Sequence, residues 1–180
     1  MKLIETKLSG CYLVQPKVFR DERGSFVKTF HQKIFNDHKL ETKFVEEYYS
    51  VSNQNVLRGL HFQLPPHDHT KLVYCLFGKV LDAVVDLRVG SPTYGQWEMF
   101  ELSEENAYVV YMPPGFAHGF CTTSERAIMI YNVSTVYASE HDTGIRWDSV
   151  GISWPAANLV ISERDRGFLA FSEFESPFVY

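Results

Sequence analysis

Residues 71 to 88, KLVYCLFGKVLDAVVDLR, confine this chain to a β architecture more tightly than any other stretch. After Gly78-Lys79, the residues Leu81, Ala83, Val85 and Leu87 alternate with Asp82, Val84, Asp86 and Arg88. That period of two is what a strand with unlike faces requires. Gly78-Lys79 reads as a two-residue hairpin turn with glycine first. The turn-rich GSPTYGQW predicts a second hairpin. MFELSEENAYVVYMPPGFAHGF follows, with Ser103 capping a single turn, and RAIMIYNVSTVY adds a further strand. Many short strands separated by turns describe a sandwich or barrel. The expected fold is all-β, a double-sheet jelly roll with a few short helices. TFHQKIFNDHK, residues 29 to 39, predicts one of those helices, because Phe30, Ile34 and His38 recur at helical spacing beside Phe35.

At 180 residues the expectation is one domain, with a jelly-roll core over about residues 45–155. Segment 156–180 changes character. Phe168, Phe171, Phe174 and Phe178 form a helically spaced stripe that is expected to pack on the barrel or on a second subunit. Aromatic residues make up 15% of the chain, which favours strands and a ligand cavity. With a net charge of −5 and no run of Lys and Arg, neither nucleic acid nor a membrane is an expected partner. An acidic chain that binds an anion therefore needs a local basic pocket. Cys11, Cys75 and Cys121 are odd in number and widely spaced, the pattern of buried free thiols. The first thirty residues show no apolar signal segment, so a cytoplasmic location is expected.

Four groups of residues carry chemistry. In VLRGLHFQ, Arg58 and His61 are an odd number of residues apart and a regular strand would send them to opposite faces. Gly59 between them is the kind of residue that marks a bulge and re-aims a side chain. On their own, the plainer reading is a surface arginine and a core histidine. His67 and His69, with His118 of PPGFAHGF, are the beginning of a metal-ligand set. The carboxylate expected a turn later is missing, and Lys71 nearby would repel a cation. Tyr131 and Tyr137, six apart, would share one strand face, and alone they read as core packing. In ISERD, Asp165 lies between Arg164 and Arg166, alone a solvated charge cluster.

VLRGLHFQ, KLVYCLFGKVLDAVVDLRVGSPTYGQW, ELSEENAYVVYMPPGFAHGF, EHDTGIRW and ISERD together resemble the dTDP-4-keto-6-deoxyglucose 3,5-epimerases, in order and spacing, from about Val18 to Asp165. The resemblance implies a cupin-type jelly roll, a homodimer, no metal and no organic cofactor. It implies a nucleotide-linked 4-keto-6-deoxyhexose as substrate and a place in deoxysugar biosynthesis of the cell-surface polysaccharide or O-antigen type. A ketone at C4 acidifies the protons on C3 and C5, and a neutral imidazole suits their removal near neutral pH. The resemblance makes His61 that base, Asp165 the carboxylate that holds it, and Lys71 the cation at the enolate oxygen. Tyr131 becomes the acid on the opposite face. Arg23 of DERG, Arg58 and Arg164 fall on positions that contact the nucleotide sugar. Gln63, His118, Tyr137 and Asp142 also fall among the substrate-contact positions.

The departures from the family pattern cluster in the base-reading residues. Lys28 stands where the family carries a glutamate after aromatic residues. Glu46, Glu47 and Tyr48 replace a Gln-Asp-Asn triplet, and Asn132 replaces a lysine after Tyr131. Thymine and cytosine differ at position 4, an acceptor oxygen against a donor amine, so new carboxylates suit cytosine. The expected carrier is CDP rather than dTDP. Inversion is expected at C3, with C5 left open. The rival readings are a 3,4-ketoisomerase of a nucleotide sugar, a metal-dependent cupin and a sugar-binding jelly roll without catalysis.

Overall fold

The structure, a computed structural model, describes residues 1–180. Eleven strands build two facing antiparallel sheets. The six-stranded sheet runs, edge to edge, through β1 (Lys2–Glu5), β2 (Tyr12–Gln15), β10 (Val109–Met112), β7 (Lys71–Phe77), β12 (Arg126–Val133) and β5 (Glu46–Asn53). The five-stranded sheet runs through β13 (Asp142–Gly144), β6 (Leu57–Gln63), β11 (Phe116–Thr122), β8 (Lys79–Asp86) and β9 (Trp97–Ser103). A separate hairpin, β3 (Val18–Asp21) with β4 (Gly24–Val27), pairs with neither sheet. Helices are confined to α1 (Gln32–Asp37), α2 (Glu163–Arg166) and one 3-10 turn at Phe171–Glu173. This is the all-β double-sheet jelly roll. The six-stranded sheet begins well before residue 45, because β1 and β2 extend it at one edge.

The main core lies between the sheets, where Val73, Cys75, Val80, Val84, Phe120 and Met129 meet. Each Val, Phe or Met side chain among them, fully buried, contributes about 1.5–3 kcal/mol relative to its exposed state. A second cluster covers the outer face of the five-stranded sheet. There the C-terminal residues Phe171, Phe174 and Phe178 pack on Leu60, Phe62, Ala83, Val85 and Leu87. The third cluster seats Phe35 of α1 on Val14, Leu72 and Tyr111. No helix is long and apolar enough to cross a membrane. All three cysteines are buried free thiols, and burial pushes the Cys11 thiol up to about 12.

Several local expectations change. Gly78 does not close a hairpin. β7 pairs with β10 and β12, whereas β8 pairs with β11 and β9, so Gly78 is the corner where the chain leaves one sheet for the other. Its φ of +75° and a Cβ site that would run into the Arg126 carbonyl oxygen leave room for glycine only. GSPTYGQW does join a true hairpin, β8 to β9. Ser103 Oγ accepts from the Asn106 amide, capping the predicted turn. The helix near residue 30 is six residues long, and Phe30 packs on Phe35 and Phe44 from outside it.

The alternation in β8 separates two buried faces rather than a wet face from a dry one. Ala83, Val85 and Leu87 face the C-terminal tail, while Val80 and Val84 belong to the core between the sheets. The phenylalanine stripe of the tail lies across the barrel without forming a long helix. Asp86 and Arg88 are buried together. The carboxylate accepts from Arg88 Nε and Nη2 and from the Ser91 and Thr93 hydroxyls, at 2.6–2.9 Å. The guanidinium lies over the rings of Phe116 and Tyr180.

Candidate active site

A cavity of about 430 Å³ opens between the two sheets, within the size range of small-molecule sites. From the five-stranded sheet come Arg58, His61, Gln63, His118, Phe120 and Asp142. The six-stranded sheet supplies Glu46, Tyr48, Ser50, Lys71, Tyr131 and Val133.

Arg58 and His61 both reach this cavity because β6 bulges at Gly59. On β11, His118 pairs with His61 and Phe120 with Arg58, so three steps on β6 match two on β11. The extra residue resets the parity and turns both side chains inward. Gly59 has a φ of +143°, and a Cβ there would sit 2.6 Å from the Gly119 Cα.

His61 Nε2 lies 2.9 Å from Asp165 Oδ1. Asp165 is buried, and its second oxygen accepts from the Gly59 amide at 3.1 Å. Ser162, the N-cap of α2, accepts from the Asp165 amide and so fixes where the carboxylate stands. Burial alone would raise this carboxyl, but the hydrogen bond and charge of His61, with the Gly59 and Ser162 contacts, hold it below the ordinary carboxylate value. An ionised carboxylate only accepts, so Nε2 carries the proton. Nδ1 is left with the lone pair of a general base.

On the opposite sheet, the Tyr131 ring is buried and stacks on Tyr48, with centroids 4.7 Å apart and planes at 14°. Its hydroxyl is 3.3 Å from Ser50 Oγ. Burial pushes the phenol pKa up, with smaller contributions from Tyr48 and Asp82, so the group stays protonated and can donate. Lys71 is buried, and its Nζ donates to the His61 carbonyl oxygen at 3.1 Å. Burial lowers its pKa to about 8, against the pull of Asp142 and Asp82. A second imidazole, His118, is held by buried Asp82 at 2.6 Å and meets Tyr131 edge-on. The remaining oxygen of Asp82 has no partner.

The predicted residues divide into those the cavity gathers and those it does not. Arg164 reaches it indirectly, donating to Asp142 Oδ2 at 2.7 Å. Gln63 lies in the wall with its amide already used: Nε2 donates to the His67 carbonyl and Oε1 accepts from the Ala138 amide, both at 2.7 Å. Tyr137 is not on a strand with Tyr131, since β12 ends at Val133; it arrives from the rim loop, its amide held by Glu46. Glu47 points to the outer face and accepts from Asn132 at 2.6 Å, so Asn132 also faces away from the cavity. Arg23 and Lys28 lie outside the cavity of the same chain. Arg23 is at the tip of the β3–β4 hairpin, paired with Asp21, and Lys28 follows β4. The cavity therefore holds Arg58 and Lys71 against Glu46 and Asp142, less basic than an anion site was expected to be.

The histidines considered for metal do not converge. His69 Nδ1 is engaged by Thr135 and Gln63, His67 packs on His141, and His118 is taken by Asp82. No group of three or more His, Cys, Asp or Glu is arranged to hold a metal ion. Sequence reasoning missed Asp82 and Ser50, both on inward positions that strand parity alone would have identified once the sheets were assigned.

An imidazole with one nitrogen held by Asp165 and the other open on one wall, and a protonated phenol on the facing wall, fit one class: a proton-transfer enzyme built on a jelly roll. The family model for dTDP-4-dehydrorhamnose 3,5-epimerase matches residues 5–173. A dTDP-4-dehydrorhamnose 3,5-epimerase of Shigella flexneri is 42% identical over 170 residues, covering 92% of this chain and 93% of that protein. One from Methanothermobacter thermautotrophicus is 42% identical over 96% of this chain and 95% of its own. The crystal structure of the Legionella pneumophila dTDP-6-deoxy-D-glucose-3,5-epimerase in complex with dTDP-4-keto-L-rhamnose superposes with a TM-score of 0.94 at 34% identity, over 99% of this chain and 98% of that one. The chain belongs to the dTDP-4-dehydrorhamnose 3,5-epimerase family. It is an isomerase, a nucleotide-sugar epimerase of deoxysugar biosynthesis.

Proposed function

We propose that His61 Nδ1 removes the C3 proton of a nucleoside-diphosphate-linked 4-keto-6-deoxyhexose and that Tyr131 returns one from the opposite face. Lys71, cationic at neutral pH, stabilises the enolate oxygen at C4. Asp165 keeps the imidazole in the reactive tautomer and stabilises its cationic form during the reaction. Arg58, two of whose N–H groups are tied to Ser52 and Val51, directs the rest of its guanidinium at the diphosphate. The observation that carries this reading is the placement of His61 and Tyr131 on opposite sheets of one cavity, because inversion needs a base and an acid on opposite faces of a ring. Inversion at C3 is the reaction proposed. Asn132 gives no reason to exclude C5, because it faces away from the sugar.

For the carrier we propose CDP, with dTDP, carried by the named relatives, as the comparison. Glu46, an acid where the family carries glutamine, faces the cavity, whereas Glu47 stands where the family already has a carboxylate and faces away; Glu46 Oε1 is left to accept from an exocyclic amine. We further propose a cytoplasmic homodimer that supplies a cell-surface polysaccharide such as an O-antigen. The β3–β4 hairpin exposes Phe19 and Phe26 as a cross-strand pair, and an isolated two-stranded hairpin is marginal alone. Tyr49, Val51, Leu76 and Phe77 leave the outer six-stranded face similarly bare. Pairing of two copies covers both surfaces and carries Arg23 and Lys28 to the partner's cavity, adding the missing positive charge. A panel of CDP- and dTDP-linked 4-keto-6-deoxyhexoses, followed by NMR for solvent deuterium, tests the reading. Faster turnover of the dTDP sugar refutes the CDP assignment, and label at C5 alone refutes inversion at C3.

A further inference from the structure

The stripe that begins at Phe168 was expected only to pack, yet its first member touches the base. We propose that Phe168 is a positioning residue for the epimerisation: its ring, in a slot that exists because residue 144 is glycine, holds the plane of the His61 imidazole toward the substrate. This inference rests on His61 being the base.

The need for such a residue follows from geometry. Asp165 fixes the imidazole through one nitrogen only. A ring held by one hydrogen bond can still swing about that N···O line, and the His61 side chain is partly open to the cavity. The Phe168 ring meets it T-shaped, with centroids 5.8 Å apart and planes at 79°, and blocks that swing. Phe168 is itself fixed. Gly144, the cross-strand partner of His61, approaches so closely that a Cβ there would lie 2.6 Å from the Phe168 ring. The Arg164 guanidinium sits over the same ring, 5.3 Å from its centroid, and is anchored to Asp142. One residue further on, Leu169 bridges to Ile145 and its carbonyl accepts from the Arg146 amide at 2.8 Å. Residues 162 to 169 thus deliver the carboxylate partner and the wall of the base as one unit. A misplacement of about one ångström in a reacting group costs on the order of a hundredfold in rate.

The test compares Phe168→Leu, Phe168→Tyr and Phe174→Leu with the wild type. Phe174→Leu removes a tail ring of the same kind that packs on Phe62 and not on His61. Two readouts are taken: kcat and KM for deuterium wash-in, and the imidazole signals of His61 by ¹⁵N NMR across pH. Phe168→Leu is expected to lower kcat about 10- to 100-fold with KM within about threefold, and to move the His61 titration. Phe168→Tyr, which keeps the ring, is expected to recover wild-type values within about threefold, and Phe174→Leu to lower Tm alone. Wild-type kcat and an unmoved His61 titration in Phe168→Leu overturn the proposal, as does an equal kcat loss in Phe174→Leu. Wild-type protein that washes in no deuterium refutes the epimerase reading instead, and the NMR titration still decides whether Phe168 positions His61.

Discussion

Replacing Asp165 by asparagine changes one atom and inverts the chemistry of the base. In the native site the carboxylate accepts from both His61 Nε2 and the Gly59 amide. The Gly59 N–H donates whatever residue 165 is, so the new amide must turn its oxygen toward Gly59. That turn points its NH₂ at Nε2, which must then accept. The imidazole proton moves to Nδ1 and the basic lone pair disappears from the reacting side. Reaching the productive arrangement requires turning the amide back and leaving the buried Gly59 N–H unpaired, at about 1–3 kcal/mol. The lost charge-assisted hydrogen bond adds about 1.5–3 kcal/mol. Together, about 2.5–6 kcal/mol corresponds to a fall in kcat of about 10²- to 10⁴-fold. The assay is solvent-deuterium wash-in on the preferred nucleotide sugar, with Tm measured in parallel to show that the isosteric change leaves the fold intact. A loss of less than about fivefold in a folded protein would refute the tautomer argument.

Lys71→Met is expected to lower kcat by about 10²- to 10³-fold, because the enolate oxygen loses its cation. The same variant tests a linkage. The folded pKa of Lys71, about 8, lies below its ordinary 10.5, so the unfolded chain binds more protons between those values. Wild-type stability to urea should therefore rise relative to Lys71→Met as pH climbs from 8 toward 10, and a flat difference contradicts it. Asp86→Ala strands the buried Arg88 guanidinium and should cost about 3–5 kcal/mol in urea unfolding while leaving KM unchanged. Gly59→Ala forces a side chain against Gly119 and should both destabilise the protein by about 2–4 kcal/mol and depress kcat, since the bulge aims Arg58 and His61 together. Wild-type unfolding and turnover in that variant would contradict the role given to the bulge.

The strand content and the inward turn at Gly59 were legible because both are local. A period of two needs no knowledge of partners, and a glycine between two polar residues that a regular strand would send to opposite faces announces a bulge. What sequence could not carry is the choice of partner. Gly78-Lys79 is a good hairpin signal, but whether flanking strands pair depends on which other strands compete for them, and here β10, β12, β11 and β9 do. The alternation in β8 says that its two faces differ, but nothing local says that Asp82 meets His118 or that the tail covers Val85. The tail stripe mimicked a helix since spacing of three and four also suits an irregular chain laying rings along a sheet. Of the site, the motifs gave the inward-facing residues of β6, β7 and β12, while Glu47 and Tyr137 were misplaced by one face and by one loop.

Epimerisation here requires a base and an acid that work from facing walls, and the fate of solvent deuterium reads this most directly. In wild-type protein, label at C3 should appear in the inverted epimer. His61→Asn should incorporate none while still binding the nucleotide sugar. Tyr131→Phe should place label only in sugar of unchanged configuration, because the proton returns from the face it left. Wash-in by His61→Asn at the wild-type rate, or inverted product from Tyr131→Phe at that rate, would contradict the two-wall mechanism.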